Sequence, residues 1–363
     1  MKILLARHSI RLPGFFLALT CAIFACASGK LPATSIANIP PGAGTPGAES
    51  SPTQSARTEP LRLLQRIPLS KVEGRIDHLA VDVVSQRLFV AALGNNSLEV
   101  VDLKKNVRLQ SVPGFHEPQG VGYLPGSNTI VVASGGDGAV TFLDGSSLKP
   151  LKKIRFNSDA DNVRYDATHR RVYVGYGAGA LGVLDEKGAR LADVPLNGHP
   201  ESFQLDMAAG KIFVNIPTRR EIAVIDLNNS SVSTTWPVSV ASANYPMALD
   251  EVNHRIFVMT RKPPHLLVYD TETEKLISNL ETDSDCDDVF YDSARRRLYA
   301  SFGEGTVVVY EQGDADHYKM IAQIPTAAGA RTSFFSPELR RLYVAVPHRA
   351  NPTAEILVYE VAP

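Results

Sequence analysis

The chain has 363 residues, is 44% hydrophobic but only 7% aromatic, and carries a formal charge of −1. That balance gives ample aliphatic core and excludes the strongly basic face that nucleic-acid binding needs. It also makes length a poor guide to domain number, because a single closed repeat fold can use the whole chain.

At the amino terminus, Lys2, Arg7 and Arg11 precede an apolar run from Phe15 to Cys26, and Ala25-Cys26-Ala27 offers a small-residue cleavage site. This pattern reads as a secretory signal over residues 1–27. Its removal leaves a mature chain of charge −4, because the segment holds three bases and no acid. Ile23-Phe24-Ala25-Cys26 also resembles a lipoprotein box, which would make Cys26 a lipid anchor and the protein a periplasmic or extracellular one held at a membrane. Residues 28–60 shift to Pro, Gly, Ala, Ser and Thr and read as a tether too poor in bulky apolar residues to order itself. With Cys21 and Cys26 in or beside the signal, Cys286 stands alone, and no disulfide framework is expected.

From Leu61 the sequence repeats. Arg87-Leu88-Phe89-Val90 alternates like a strand, Gly94-Asn95-Asn96 is turn chemistry, and Leu98 to Val101 is a second strand closed by Asp102. Variants centred on Leu88, Ile130, Val172, Ile212, Ile256, Leu298 and Leu342 follow at spacings of 42, 42, 40, 44, 42 and 44. A strand-and-turn period in the low forties predicts propeller blades. Residues 61–363 are therefore read as an all-β, seven-bladed propeller of four-stranded blades. The first strand-like run, Leu61 to Leu69, is expected to supply the outer strand that the last blade lacks, so that no sheet edge stays open.

The Arg-Leu-Phe-Val and Arg-Val-Tyr-Val strands, the Gly-Asn-Asn turn and the following Val-Val-Asp resemble the bacterial YncE-like, or YVTN-repeat, propellers. These belong with the wider group related to the quinoprotein amine dehydrogenase beta chain. The resemblance implies the fold over about residues 61–361. It supplies no catalytic motif, and propellers host many activities. A quinoprotein-related subunit is one alternative, although Trp236 is the only tryptophan.

Several chemical-looking motifs are structural by their recurrence. Asp82 and Arg87, Asp166 and Arg171, Asp206 and Lys211, Asp250 and Arg255, and Asp292 and Arg297 share one spacing at the hairpin between first and second strands. Five copies predict an Asx turn and an ion pair across each hairpin rather than a catalytic pair. Arg170-Arg171, Arg295-Arg296-Arg297 and Arg340-Arg341 make the same face basic, with a solvated-turn role expected. Gly135-Gly136-Asp137-Gly138 and Gly175-Tyr176-Gly177-Ala178-Gly179 join strand to strand, not strand to helix, which argues against a phosphate cradle.

The informative column lies five residues before the Asp82-type position. Asp77, Gln119, Asp161, Glu201, Tyr245, Asp287 and Arg331 are polar in every blade but differ in identity. His78, Asn162, His199 and Asp288 neighbour them, and Leu79, Val121, Val163, Phe203, Met247, Val289 and Ser333, two residues on, are expected on the same side of the strand. These features predict an acidic throat at the channel mouth, opposed by Arg331. A rim of Asn95, Asn96, Asp137, Arg219, Arg220, Lys262, His265, His348 and Arg349 is expected around it, with His116 and Glu117 nearby. The throat is read as the site for a small ligand or protein partner on a monomeric binding or scaffold module, with no cofactor and no catalytic residue assigned. The alternative is a lactonase- or lyase-type enzyme in which the same carboxylates hold a divalent cation.

Overall fold

The computed structural model describes residues 59–349 and 351–363, arranged as seven separate four-stranded antiparallel sheets. The expected export signal, Cys26, and the tether up to residue 58 lie outside the described residues. Blade 1 comprises Leu79–Asp82, Arg87–Ala92, Ser97–Asp102 and Val107–Pro113 from inside to outside. The inner strands of blades 2 to 7 are Pro118–Leu124, Ala160–Asp166, Phe203–Asp206, Ser242–Asp250, Cys286–Asp292 and Thr332–Ser336. Consecutive inner strands touch, and that of blade 7 touches that of blade 1, so the sheets form a ring.

The ring closes as the repeat count predicted. Leu61–Pro68 pairs antiparallel with Glu355–Val361, from Leu61 opposite Val361 to Pro68 opposite Glu355. The Pro60 carbonyl also accepts the Ala362 N–H at 3.0 Å. Second and third strands read as near-continuous apolar runs because both their faces are covered by neighbouring blades. Seven apolar clusters result, one at each blade interface, as in the set of Ile67, Leu69, Leu79, Leu88, Tyr343, Ile356 and Val358 between blades 7 and 1. Helix among the described residues is confined to one 3-10 turn at Leu93–Asn95.

The hairpin aspartates form the expected turns. Asp82, Asp166, Asp206, Asp250 and Asp292 each accept a backbone N–H two or three residues on. The accompanying ion pair forms only in blade 1, where the Arg87 Nη2 reaches Asp82 at 2.9 Å. Elsewhere the strand geometry sends the basic residue to other partners. Arg255 pairs with Asp270 at 2.6 Å, and Arg297 donates to the Ala362 carbonyl at 3.0 Å. These aspartates are also buried rather than solvated. Burial acts against ionisation of Asp82, but the Ser85 N–H and Arg87 guanidinium outweigh it and hold the carboxyl below its ordinary value.

Closure makes a testable distinction along one strand. Ile67 is fully buried between blades 7 and 1, whereas Leu64 is 38% exposed. Ile67→Ala is expected to cost roughly 2–5 kcal/mol, and Leu64→Ala no more than about 0.5 kcal/mol. Equal losses in urea unfolding would show that this strand is dispensable to the ring.

Candidate functional site

The seven-member polar column falls at the inner ends of the blades, where a β-bulge recurs. In blade 3, Ala160 pairs with Tyr176 and Val163 with Val174, so Asp161 and Asn162 together face one partner residue. The same register shift occurs at the inner strands of blades 2, 5 and 6. Blades 1 and 4 show it as doubled hydrogen bonds: Ala91 bonds to both Asp77 and His78, and Asn215 to both Glu201 and Ser202. A bulge adds one residue, bends the strand and re-aims the side chain at that point. Gly120 belongs to this arrangement, since a Cβ there would lie 2.0 Å from the Asp161 carbonyl oxygen.

The residues two positions on do not share the side of the column as a set. Leu79, Val121, Val163, Phe203, Met247 and Val289 enter the apolar clusters between blades, and of these Leu79, Val121 and Val163 also border the channel. The channel wall continues three positions on, through Arg164, Gln204, Phe290 and Phe334, which are all half-buried.

The column's acids converge with His78. Its ring lies 3.5 Å from Asp288, 3.8 Å from Asp77 and 3.9 Å from Asp161. Burial alone would discharge this imidazole, but Asp288, Asp77 and Asp161 raise its pKa to about 10. Burial pushes Asp161 up to about 8, helped by Asp77 and Glu201 and opposed by His78 and His199. Glu201 is pushed to about 7 by burial and then by Asp287 and Asp77. Asp77 is raised too, chiefly by burial, against the pull of His78 and Arg75. One side of the throat thus holds a protonated imidazole beside Asp77, Asp161 and Glu201, which resist ionisation.

The other side is more basic than a ring with Arg331 as its lone cation. Arg331 bonds Asp285 and Asp287, each at 2.8 Å. Arg75 holds Asp77 at 2.7 Å, and Arg261 bonds Asp287 while its guanidinium lies 4.1 Å above the Tyr245 ring. Arg75 and Arg261 were absent from the sequence reading. Arg75 lies on a non-repeated approach to blade 1, and Arg261 sits in a second strand, Arg255–Lys262, of 8 residues against 6 in blade 1.

The remaining candidates divide. Asn162 is buried in the throat. Gln119 and His199 form a flanking group around Asp159, with Gln119 donating to it at 3.0 Å and His199 3.7 Å from it. His199 also contacts the Gly177 carbonyl at 2.6 Å. The expected rim is largely structural: Arg219 donates to the Asn197 carbonyl and Arg220 to those of Val238, Ser239 and Ala241. Asn95 and Asn96 accept backbone N–H groups of Glu73 and Glu117, and His348 pairs with Glu73. Cys286 is fully buried, its thiol raised well above its ordinary value by burial and then by Asp287 and Asp288, as fits a structural role. Among the described residues, no group of three or more His, Cys, Asp or Glu is arranged to hold a metal ion.

Four acceptors in this constellation are buried without a hydrogen bond; Asp77 Oδ2 and Asp287 Oδ2 face Arg75 at 2.7 Å and Arg331 at 2.8 Å, which leaves two without a guanidinium beside them. Asp161 is 7% exposed and Asn162 2%, and the Oδ1 atom of each is buried without a hydrogen-bond partner. Buried polar atoms in folded proteins are normally satisfied, so this pair marks where an additional donor fits.

No family model matches the chain, and no curated protein matches it in sequence. Solved structures do resemble it. The hydrazine synthase of Kuenenia stuttgartiensis aligns with a TM-score of 0.68 at 15% identity, covering 78% of this chain and 95% of that one. A chain of the mitotic checkpoint complex aligns with a TM-score of 0.72 at 11% identity, covering 92% and 99%. At such identities the likeness shows the propeller fold.

The throat's titration has a definite sign. Asp161 and Glu201 bind protons more tightly folded than unfolded, so they subtract stability as pH rises through their raised values. His78, raised as well, contributes stability that is full at low pH and lost as pH climbs toward 10. Urea unfolding of the intact chain should therefore show stability falling from pH 5 to pH 9. Asp161→Asn should flatten that decline by at least about 1 kcal/mol. A decline just as steep in the variant would remove Asp161 from the titrating network.

Proposed function

We propose that this propeller is an exported, YncE-like binding module whose channel throat takes a donor-bearing cationic group, such as the amine of a small molecule or a lysine of a partner protein. The observation that carries this reading is the unmet demand of Asp161 Oδ1 and Asn162 Oδ1 for donors inside a carboxylate-rich site. An ammonium group supplies three N–H donors and a positive charge. The charge balance favours it: Asp77, Asp161, Glu201, Asp285, Asp287 and Asp288 face the cations Arg75, Arg261, Arg331 and His78. A cation would also relieve the repulsion that helps to raise Asp161 and Glu201.

Binding is favoured over metal-assisted chemistry because Arg75, Arg261 and Arg331 already engage the oxygens of Asp77, Asp285 and Asp287 that a hard cation would need. Export rests on the charged and apolar pattern of residues 1–27.

Calorimetric titration with n-butylamine and with n-butanol tests the reading. The amine should bind and the alcohol should not, and amine affinity should increase from pH 6 to pH 9 as Asp161 and Glu201 lose their protons. Asp161→Ala combined with Glu201→Ala should abolish binding while leaving the melting midpoint unchanged or higher. Binding that survives this double variant but falls with Arg295→Ala and Arg296→Ala would place the functional surface on the hairpin face instead.

A further inference from the structure

Next to the throat the channel holds a chamber of about 370 Å³, to which six of the seven blades contribute. Its lining includes the residues three positions past the bulge in blades 1 to 4, 6 and 7, namely Ala80, Gly122, Arg164, Gln204, Phe290 and Phe334. Small residues in blades 1 and 2 leave space, and Phe290 and Phe334 meet edge to face at 5.8 Å to give an aromatic wall. Tyr123, Val121, Val163 and Tyr165 extend the apolar lining.

Arg164 is the exception in this wall. Its guanidinium bonds the Val163 carbonyl at 3.0 Å and reaches the Ser202 hydroxyl at 3.5 Å, and it lies 5.5 Å from the Phe203 ring centre. Among the described residues no carboxylate lies within ion-pair distance of it, although Arg75, Arg261 and Arg331 each hold one in the throat. A guanidinium has five N–H donors in a planar fork suited to a carboxylate. Gln204 offers it no counter-charge, and the Gln204 amide nitrogen is itself committed to the Met247 carbonyl at 2.7 Å. The nearest chamber acid, Asp288, is taken by the Ser333 N–H at 2.8 Å and by His78. Burial accordingly acts to discharge Arg164 and lowers its pKa, with Asp288 and Asp161 only partly offsetting this.

We propose that the chamber, which borders the throat at His78 and Asp288, is a second binding site for a small monocarboxylate with an aromatic or apolar body. Its carboxylate pairs with the Arg164 fork and its body lies against Phe290 and Phe334. The volume falls in the range of small-molecule pockets, and an apolar lining with a few convergent polar groups is what orients such ligands; here His78 and Asp288 already engage each other, which leaves Arg164 as the charged group without a partner.

Phenylacetate, with phenylacetamide as its neutral counterpart, tests this on the full chain by calorimetry. Phenylacetate should bind at least tenfold more tightly than phenylacetamide. Arg164→Met should remove that preference, Arg164→Lys should restore part of it by returning charge without the fork, and the throat variant Asp161→Ala with Glu201→Ala should leave it in place. Equal binding of acid and amide by the wild-type chain would overturn the proposal whatever the fate of the variants' folds. So would a preference for the acid that persists in Arg164→Met.

Discussion

Closure of the ring is the constraint on which the rest of this structure depends. Each blade is apolar on both faces, so no blade is stable without a neighbour on either side, and an uncompleted last sheet would expose a strand edge. The pairing of Leu61–Pro68 with Glu355–Val361 ties residues nearly the whole domain apart and lets Ile67 and Leu69 fill the interface between blades 7 and 1. With the ring closed, the inner strands surround one channel, and charged residues that no solitary sheet would bury are brought face to face.

Within that frame, the bulge at the start of the inner strands decides what the channel contains. By adding one residue, it packs the apolar positions into the clusters between blades, with Leu79, Val121 and Val163 still bordering the channel, and turns a different column toward the axis. The throat forms at the bulge, where Asp77, Asp161, Glu201, Asp287, Asp288 and His78 meet the guanidiniums of Arg75, Arg261 and Arg331. The chamber forms three residues deeper. Charge is tolerated at the throat because most carboxylates are paired, and the incompletely satisfied Asp161 and Asn162 are where an additional partner has a physical reason to bind.

The fold was legible because its signals repeat: the period, the hairpin aspartates and the missing last outer strand each appear in several blades or follow from counting them. The throat column was legible because polarity persists there while identity varies. What escaped was local. A bulge leaves no mark in a single strand, so nothing in the repeat singles out Arg164. Arg75 and Arg261 stand outside the repeat alignment and reach the throat only through an approach segment and an extended strand. In the basic rim the sequence does not show that Arg219 and Arg220, though exposed, also donate to backbone carbonyls.

The central claim is that the channel mouth holds a buried, charged imidazole whose proton is fixed by the surrounding carboxylates. Nitrogen-15 NMR of the histidine side chains at pH 8 tests it most directly. His78 should show both ring nitrogens at imidazolium shifts, and Asp288→Asn should return it toward the neutral form. A His78 ring that is already neutral at pH 8 in the wild-type chain would contradict the account, because the throat would then lack the electrostatic coupling from which its binding role is argued.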